Sequence, residues 1–141
     1  MKVNEIMTAD VVVISPESSI QDAARRLKSL EVGSLPVCNG ERLVGMITDR
    51  DIAIRAVAEG WDAAGTAVAK CMTPEVRWCY EDEPLEEAGR IMRENQIRRL
   101  PIISREKRLV GILSIGDIAI KTDETRKVGE TVQAISELAP A

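Results

Sequence analysis

Apolar positions along this chain change period in the same order in each half. The runs VVVIS at 11–15 and VRWCY at 76–80 are short and rich in β-branched or aromatic residues, which predicts strands. A 3.6-residue spacing follows. In the first half Ile20, Ala23, Ala24, Leu27 and Leu30 share one helical face behind Ser18 and Ser19, and Ser19 with Asp22 has the spacing of a capping box. In the second half Asp82 or Glu83 is expected to cap, Pro84 to occupy the first helical position, and Leu85, Ala88 and Met92 to supply the face. LPVC and LVGMIT then flank Asn39-Gly40, a strong hairpin signal, while LPIIS and LVGILS flank the charged turn REKR. After each hairpin, IAIRAVAEG and IAIKT read as helix starts. Residues 61–70 form a link, and 127–139 predict a C-terminal helix with Val128, Val132, Ile135 and Leu138 on its apolar side.

The order in each half is therefore strand, helix, strand, strand, helix, and the residues themselves repeat. IMT at 6–8 matches CMT at 71–73, SLPV at 34–37 matches RLPI at 99–102, and RLVG at 42–45 matches RLVG at 108–111. The offset is 65 residues up to the proline and 66 beyond it, so one residue is inserted between Pro101 and Leu109, where a turn tolerates it. Each half is too long for a solenoid repeat and too short to be comfortably stable alone. The reading is a duplication whose halves complete one core, divided as 1–62, 63–125 with the link, and a tail at 126–141.

Composition narrows the chemistry. The 141 residues are 45% hydrophobic, enough for a real core, and no apolar run approaches the ~18 residues of a membrane span. The N-terminal stretch lacks the apolar core of a signal peptide, so the chain is expected in the cytoplasm. Cys38, Cys71 and Cys79 are odd in number and form no C-x-x-C pair, which predicts reduced core thiols. Histidine is absent, removing the commonest metal ligand and the commonest general base near neutral pH. A net charge of −4 and only two Trp and one Tyr argue against nucleic-acid binding.

Three motifs, each present twice in the right order, carry a resemblance. The strand-helix-strand-strand-helix order, the mid-repeat LPV or LPI, and G-h-h-[TS]-x-x-D-I (h apolar) at each hairpin-to-helix junction resemble the cystathionine β-synthase (CBS) domain. Over about residues 3–122 the chain is similar to a tandem CBS pair, or Bateman module, of the stand-alone bacterial kind. The resemblance implies an α/β (α+β) fold in which two β-α-β-β-α repeats pack with pseudo-two-fold symmetry. It further implies clefts for adenosine-containing ligands (AMP, ADP, ATP, NAD or S-adenosylmethionine), homodimerisation, and regulation rather than catalysis. An effector protein in trans, not identified by the sequence, is the expected partner.

Residue chemistry at the T-x-x-D turns supports two readings. Thr48 with Asp51, and Ser114 with Asp117, have capping-box spacing, and such patterns are often caps alone. As a ligand site, the turn's free N–H groups and the Thr48 or Ser114 hydroxyl suit phosphate, while a carboxylate, an acceptor only, suits the two donors of a ribose diol. In the CBS family the matching residues have these roles. The adenine slot would be walled by aliphatic side chains and main chain at 11–14 and 76–79, Val12 and Arg77 among them, and by the segments around Pro36 and Pro101. Those prolines equally read as punctuation between helix and strand.

Arg50 in the first turn corresponds to Gly116 in the second, and Arg98 and Arg99 stand where the first half has Gly33 and Ser34, so the two sites should differ toward phosphate. Gly116 would also allow close approach of a ligand to the backbone. No catalytic residue, metal site or cofactor is expected, the adenine nucleotide being a regulatory ligand. The competing reading is a ligand-free CBS scaffold for dimerisation or docking. An enzyme acting on nucleotides would have only Asp51 or Asp117 as a base, without a nucleophile or metal beside it.

Overall fold

Strands buried on both faces (34–39 and 99–103), partner strands of alternating burial and turn chemistry build two three-stranded sheets, each with helices, in a computed structural model that describes residues 1–122 and 125–137, with backbone alone at 125–128. Contacts group the chain into two units, Val12–Val76 and a second made of Met1–Val11 with Arg77–Ala141.

In the Val12–Val76 unit, helix α1 (Ile20–Leu30) begins where the Ser19 hydroxyl accepts the Asp22 N–H at 3.1 Å. It buries Ile20, Ala23 and Leu27, while Ala24 and Leu30 of the expected face are exposed. Strands β1 (Ser34–Asn39) and β2 (Arg42–Thr48) form an antiparallel hairpin, with Gly40 at φ +64° supplying the left-handed turn residue that Asn39-Gly40 predicts. Helix α2 (Asp49–Asp51) continues as π-helical turns over Ile52–Val57. Helix α3 (Val68–Cys71) leads into β3 (Thr73–Pro74), which pairs antiparallel with β2. The core gathers Ile14, Ile20, Leu35, Val37, Ile47 and Val68.

The second unit repeats this plan with β4 (Cys79–Tyr80), α4 (Leu85–Asn95), β5 (Arg99–Ile103), β6 (Leu109–Ser114) and α5 (Ile115–Lys121), then adds α6 (Thr125–Ser136). The inserted residue lies in the turn. Cys38 pairs with Leu43 across four residues and Ile103 with Leu109 across five, and both hairpins carry a bulge in the same place, at Val44 and Val110. Lys107, at φ +68°, closes the longer turn.

The expected first strands are shorter than their β-branched runs. In the first unit only Ile14 bridges, parallel to Val37; in the second, Cys79–Tyr80 pairs parallel with β5. Each is an edge with one neighbour, and the Val13 carbonyl is taken by the Arg26 guanidinium rather than by a strand. Helix α4 is capped differently from expectation too. Pro84 is the cap position and has no side-chain acceptor to offer, while Asp82 and Glu83 ahead of it are drawn to Arg105 at 2.8 and 3.6 Å.

The repeated Met-Thr dipeptides explain why two glycines recur in RLVG. Thr8 bridges Ile112 beside β6 just as Thr73 pairs with Met46 of β2, so the segment opening each repeat lies on the hairpin of the other repeat. A Cβ at Gly45 would stand 2.6 Å from the Thr73 carbonyl oxygen and 2.9 Å from Met72 Sδ. At Gly111 it would meet Met7 Sδ at 2.7 Å and the Thr8 oxygen at 2.8 Å. Glycine is thus required for backbone approach.

All three cysteines are buried and free. Burial pushes the Cys38 and Cys79 thiols up to about 11, and the Cys71 thiol is raised by burial and then by Asp51. No described helix is long and apolar enough to cross a membrane.

Candidate ligand site

Both T-x-x-D turns form complete capping boxes. Thr48 Oγ accepts from the Asp51 N–H at 3.0 Å, and Asp51 Oδ2 accepts from the Thr48 N–H at 3.0 Å. Ser114 and Asp117 repeat both bonds at 3.0 Å. This does not use up the side chains. The capping hydroxyl acts as an acceptor and keeps its proton for donation, and each carboxylate oxygen has a second lone-pair site.

The aspartates are further restrained by residues to which the sequence reading gave no role. Asp117 Oδ1 accepts from the Thr8 hydroxyl at 3.1 Å and lies 3.6 Å from Lys121 Nζ, which also donates to the Ile6 carbonyl at 3.0 Å. In the other unit Asp51 Oδ1 accepts from Thr73 at 3.5 Å and lies 3.9 Å from Arg55, whose guanidinium donates to the Met72 carbonyl at 2.8 Å. Each aspartate side chain is only 13% exposed, so each carboxylate is held at one orientation with a small open edge. The repeated IMT/CMT motif was the available signal for Thr8 and Thr73.

Around the second turn the structure opens a cavity of about 590 Å³ lined by Arg98, Arg99, Ser114, Ile115 and Gly116, with Val132, Ile135 and Ser136 contributed by α6. This size lies within the usual range for small-molecule sites. It brings together four sequence-derived residues, Ser114, Gly116, Arg98 and Arg99. Helix α6 is fixed beside them through buried Thr131, which accepts from Arg93 at 3.5 Å, and through the Gln96 amide, which donates to the Ala134 and Glu137 carbonyls at 3.3 and 3.1 Å. The expected apolar side of this helix is therefore partly solvent-facing, with Val132 42% exposed. The Val128 side chain and Leu138 lie outside what the structure describes.

The other candidates are placed as follows. Arg50 is exposed at the first turn, and Val12 is 43% exposed ahead of Ile14. Arg77 is exposed and donates to Asn95 at 3.1 Å. Pro36 and Pro101 are buried inside β1 and β5, paired with Met46 and Ile112, so they lie within strands rather than at helix-to-strand turns. The Pro36 carbonyl is occupied by the Ile14 N–H at 3.1 Å. Among the described residues no three His, Cys, Asp or Glu side chains come together as a metal site.

Comparison with known proteins gives a consistent picture. A family model described as the CBS domain matches residues 3–57 and 68–121. A CBS domain-containing protein of Bacillus subtilis, YhcV, is 40% identical over 95% of this chain and 94% of its own length. The crystal structure of Hypoxic Response Protein I with two coordinated zinc ions superposes with a TM-score of 0.77 at 33% identity, covering 84% of this chain and 97% of that one. CBSX2 of Arabidopsis thaliana, in complex with AMP, gives a TM-score of 0.75 at 27% identity over 89% of this chain and 98% of its own.

Proposed function

The chain belongs to the CBS-domain family, with two domains in tandem, and from that premise we propose that it is a regulatory module that binds an adenosine-containing ligand and carries no catalytic centre of its own. The observation that carries this reading is the cavity of the second unit, which Ser114, Arg98 and Arg99 line together, with the restrained Asp117 carboxylate bonded to the Ser114 N–H beside it. Ser114 donates to phosphate, Arg98 and Arg99 neutralise it, and the open edge of Asp117 accepts the ribose hydroxyls. That CBSX2 binds AMP supports the same ligand class here. AMP, ADP, ATP, NAD and S-adenosylmethionine all fall within it, as the family resemblance implies.

Ligand acts by differential binding: it shifts the module only by as much as it prefers one arrangement over another. Helix α6 is the element placed to respond, since it lines the cavity. We further propose that the chain works in the cytoplasm as a homodimer and signals to a separate effector protein. Ile54 and Val57 in one unit, and Ile120 in the other, are exposed apolar side chains, each available to a second copy.

The zinc ions of Hypoxic Response Protein I have no counterpart in this reading. This chain has no histidine, and its buried thiols are held protonated. Titration calorimetry of the purified protein with AMP, ADP, ATP, NAD, S-adenosylmethionine and GTP tests the proposal. Saturable binding of an adenosyl compound, with none for GTP, supports it; absence of binding throughout favours the ligand-free scaffold.

A further inference from the structure

The two turns are equivalent in backbone and differ in charge. The Asp49 N–H donates to the Gly33 carbonyl at 3.0 Å, and the Ile115 N–H donates to the Arg98 carbonyl at 3.2 Å, which sets Asp49 against Ile115 and Gly33 against Arg98. Where the second unit has a guanidinium side chain and an aliphatic one, the first has no side chain and a carboxylate. That carboxylate is folded back over the turn. Asp49 Oδ1 accepts from the Arg50 N–H at 2.7 Å, and Oδ2 lies 3.4 Å from where a Cβ on Gly33 would stand. Counting Asp49, Arg50, Asp51 and Arg55 against Arg98, Arg99, Asp117 and Lys121, the fixed charges sum to zero at the first turn and leave the second more positive by two.

We infer that the two turns sort ligands by charge, with Asp49 as the specificity-determining residue that turns phosphorylated nucleotide away from the first unit. The inference rests on the nucleotide reading above. A phosphate approaching the Thr48 hydroxyl meets the Asp49 carboxylate, which already occupies the Arg50 N–H that a phosphate oxygen would need. Asp49 is exposed, so the repulsion between these like charges acts at short range and is weakened by salt. In the second unit Ile115 carries no charge and the neighbouring arginines attract the same group. The chain therefore takes one phosphorylated nucleotide per copy, although it carries the T-x-x-D hydroxyl and carboxylate twice. Arg50 does not reverse this, because it offsets Asp49 alone while Asp51 faces Arg55.

Reciprocal exchange of the turn residues tests the inference in the full chain, read by calorimetry with AMP and with adenosine as the phosphate-free probe. Wild type should bind one equivalent of AMP. Asp49→Asn combined with Gly33→Arg should add a second equivalent, at exposed or half-buried positions where the fold is not at risk. Ile115→Asp should weaken AMP about tenfold more than it weakens adenosine. Two equal equivalents of AMP in wild type would overturn the inference and leave the nucleotide reading standing. So would a single equivalent that the first-turn exchange leaves unchanged. No binding of AMP or adenosine by any form would overturn the nucleotide reading and the inference with it.

Discussion

The Thr8 hydroxyl donates to Asp117 at 3.1 Å across 109 residues of sequence. Thr73 makes the corresponding contact with Asp51 at 3.5 Å. Each turn is thus braced by the segment that opens the other repeat, which couples the integrity of the fold to the orientation of the carboxylate proposed to take ligand. Thr8→Val keeps the side-chain shape and removes the donor. It should destabilise the protein by about 1 kcal/mol and weaken AMP binding a few-fold, whereas Thr8→Ser should do neither. Urea denaturation and calorimetric titration of the two variants separate these outcomes.

Glycine at the RLVG positions is demanded by approach distance. Gly111→Ala places a methyl 2.8 Å from the Thr8 oxygen, so the Met-Thr segment must shift. A loss of roughly 1–3 kcal/mol is expected, and Gly45→Ala should behave alike. Adding Met7→Ala to Gly111→Ala should recover only part of it, because the flexible Met7 side chain can give way and the Thr8 backbone cannot. Chemical denaturation of the single and double variants gives the comparison.

Burial raises the Cys38 and Cys79 thiols from 9.0 to about 11. The folded state therefore holds these protons more tightly than the unfolded chain does. Their contribution is fully present below pH 9, and is lost as the pH rises to about 11 and the unfolded thiols ionise first. Stability should fall over that window more steeply for wild type than for the Cys38→Ala, Cys79→Ala double variant, measured by denaturant melts at each pH. Equal slopes would remove the thiols from the account.

Gln96 ties α6 to the end of α4 from a left-handed backbone position, φ +53°. Asparagine accepts that conformation and is one methylene too short to reach both carbonyls. Gln96→Asn should leave overall stability almost unchanged, since the bonds it makes are solvent-exposed. It should speed amide exchange at residues 129–137 and weaken nucleotide binding in the cavity that Val132, Ile135 and Ser136 line. Hydrogen exchange with and without AMP reads both effects.

Much of this was legible in the sequence because it is local. Asn39-Gly40 dictates its own turn, and the spacing of Thr48 to Asp51 and of Ser114 to Asp117 dictates the caps. The offset change from 65 to 66 residues placed the insertion in the second hairpin turn. What stayed hidden is non-local. Alignment of IMT with CMT reveals that the segments are equivalent, yet it cannot reveal that each lies on the other repeat's hairpin. Asp82 and Glu83 have good capping chemistry, but Arg105, more than twenty residues away, draws them off. The β-branched run at 11–15 has the propensity for a strand, while pairing on one edge orders only Ile14. Arg98 and Arg99 share a cavity with Ser114 because β5 and β6 pair in register, Arg99 opposite Ser114.

Because the caps are made, loss of stability in an aspartate variant no longer separates a cap from a ligand site; the increment that ligand adds does. The decisive measurement is the melting temperature of wild type and Asp117→Ala, each with and without AMP at about 100 times its dissociation constant. Binding contributes about 2.7 kcal/mol there, several degrees for a domain of this size. The account predicts a clear AMP increment for wild type, and for Asp117→Ala a lower starting temperature with the increment gone. A full increment retained by Asp117→Ala, or none in wild type with AMP or any other adenosyl ligand, would contradict it.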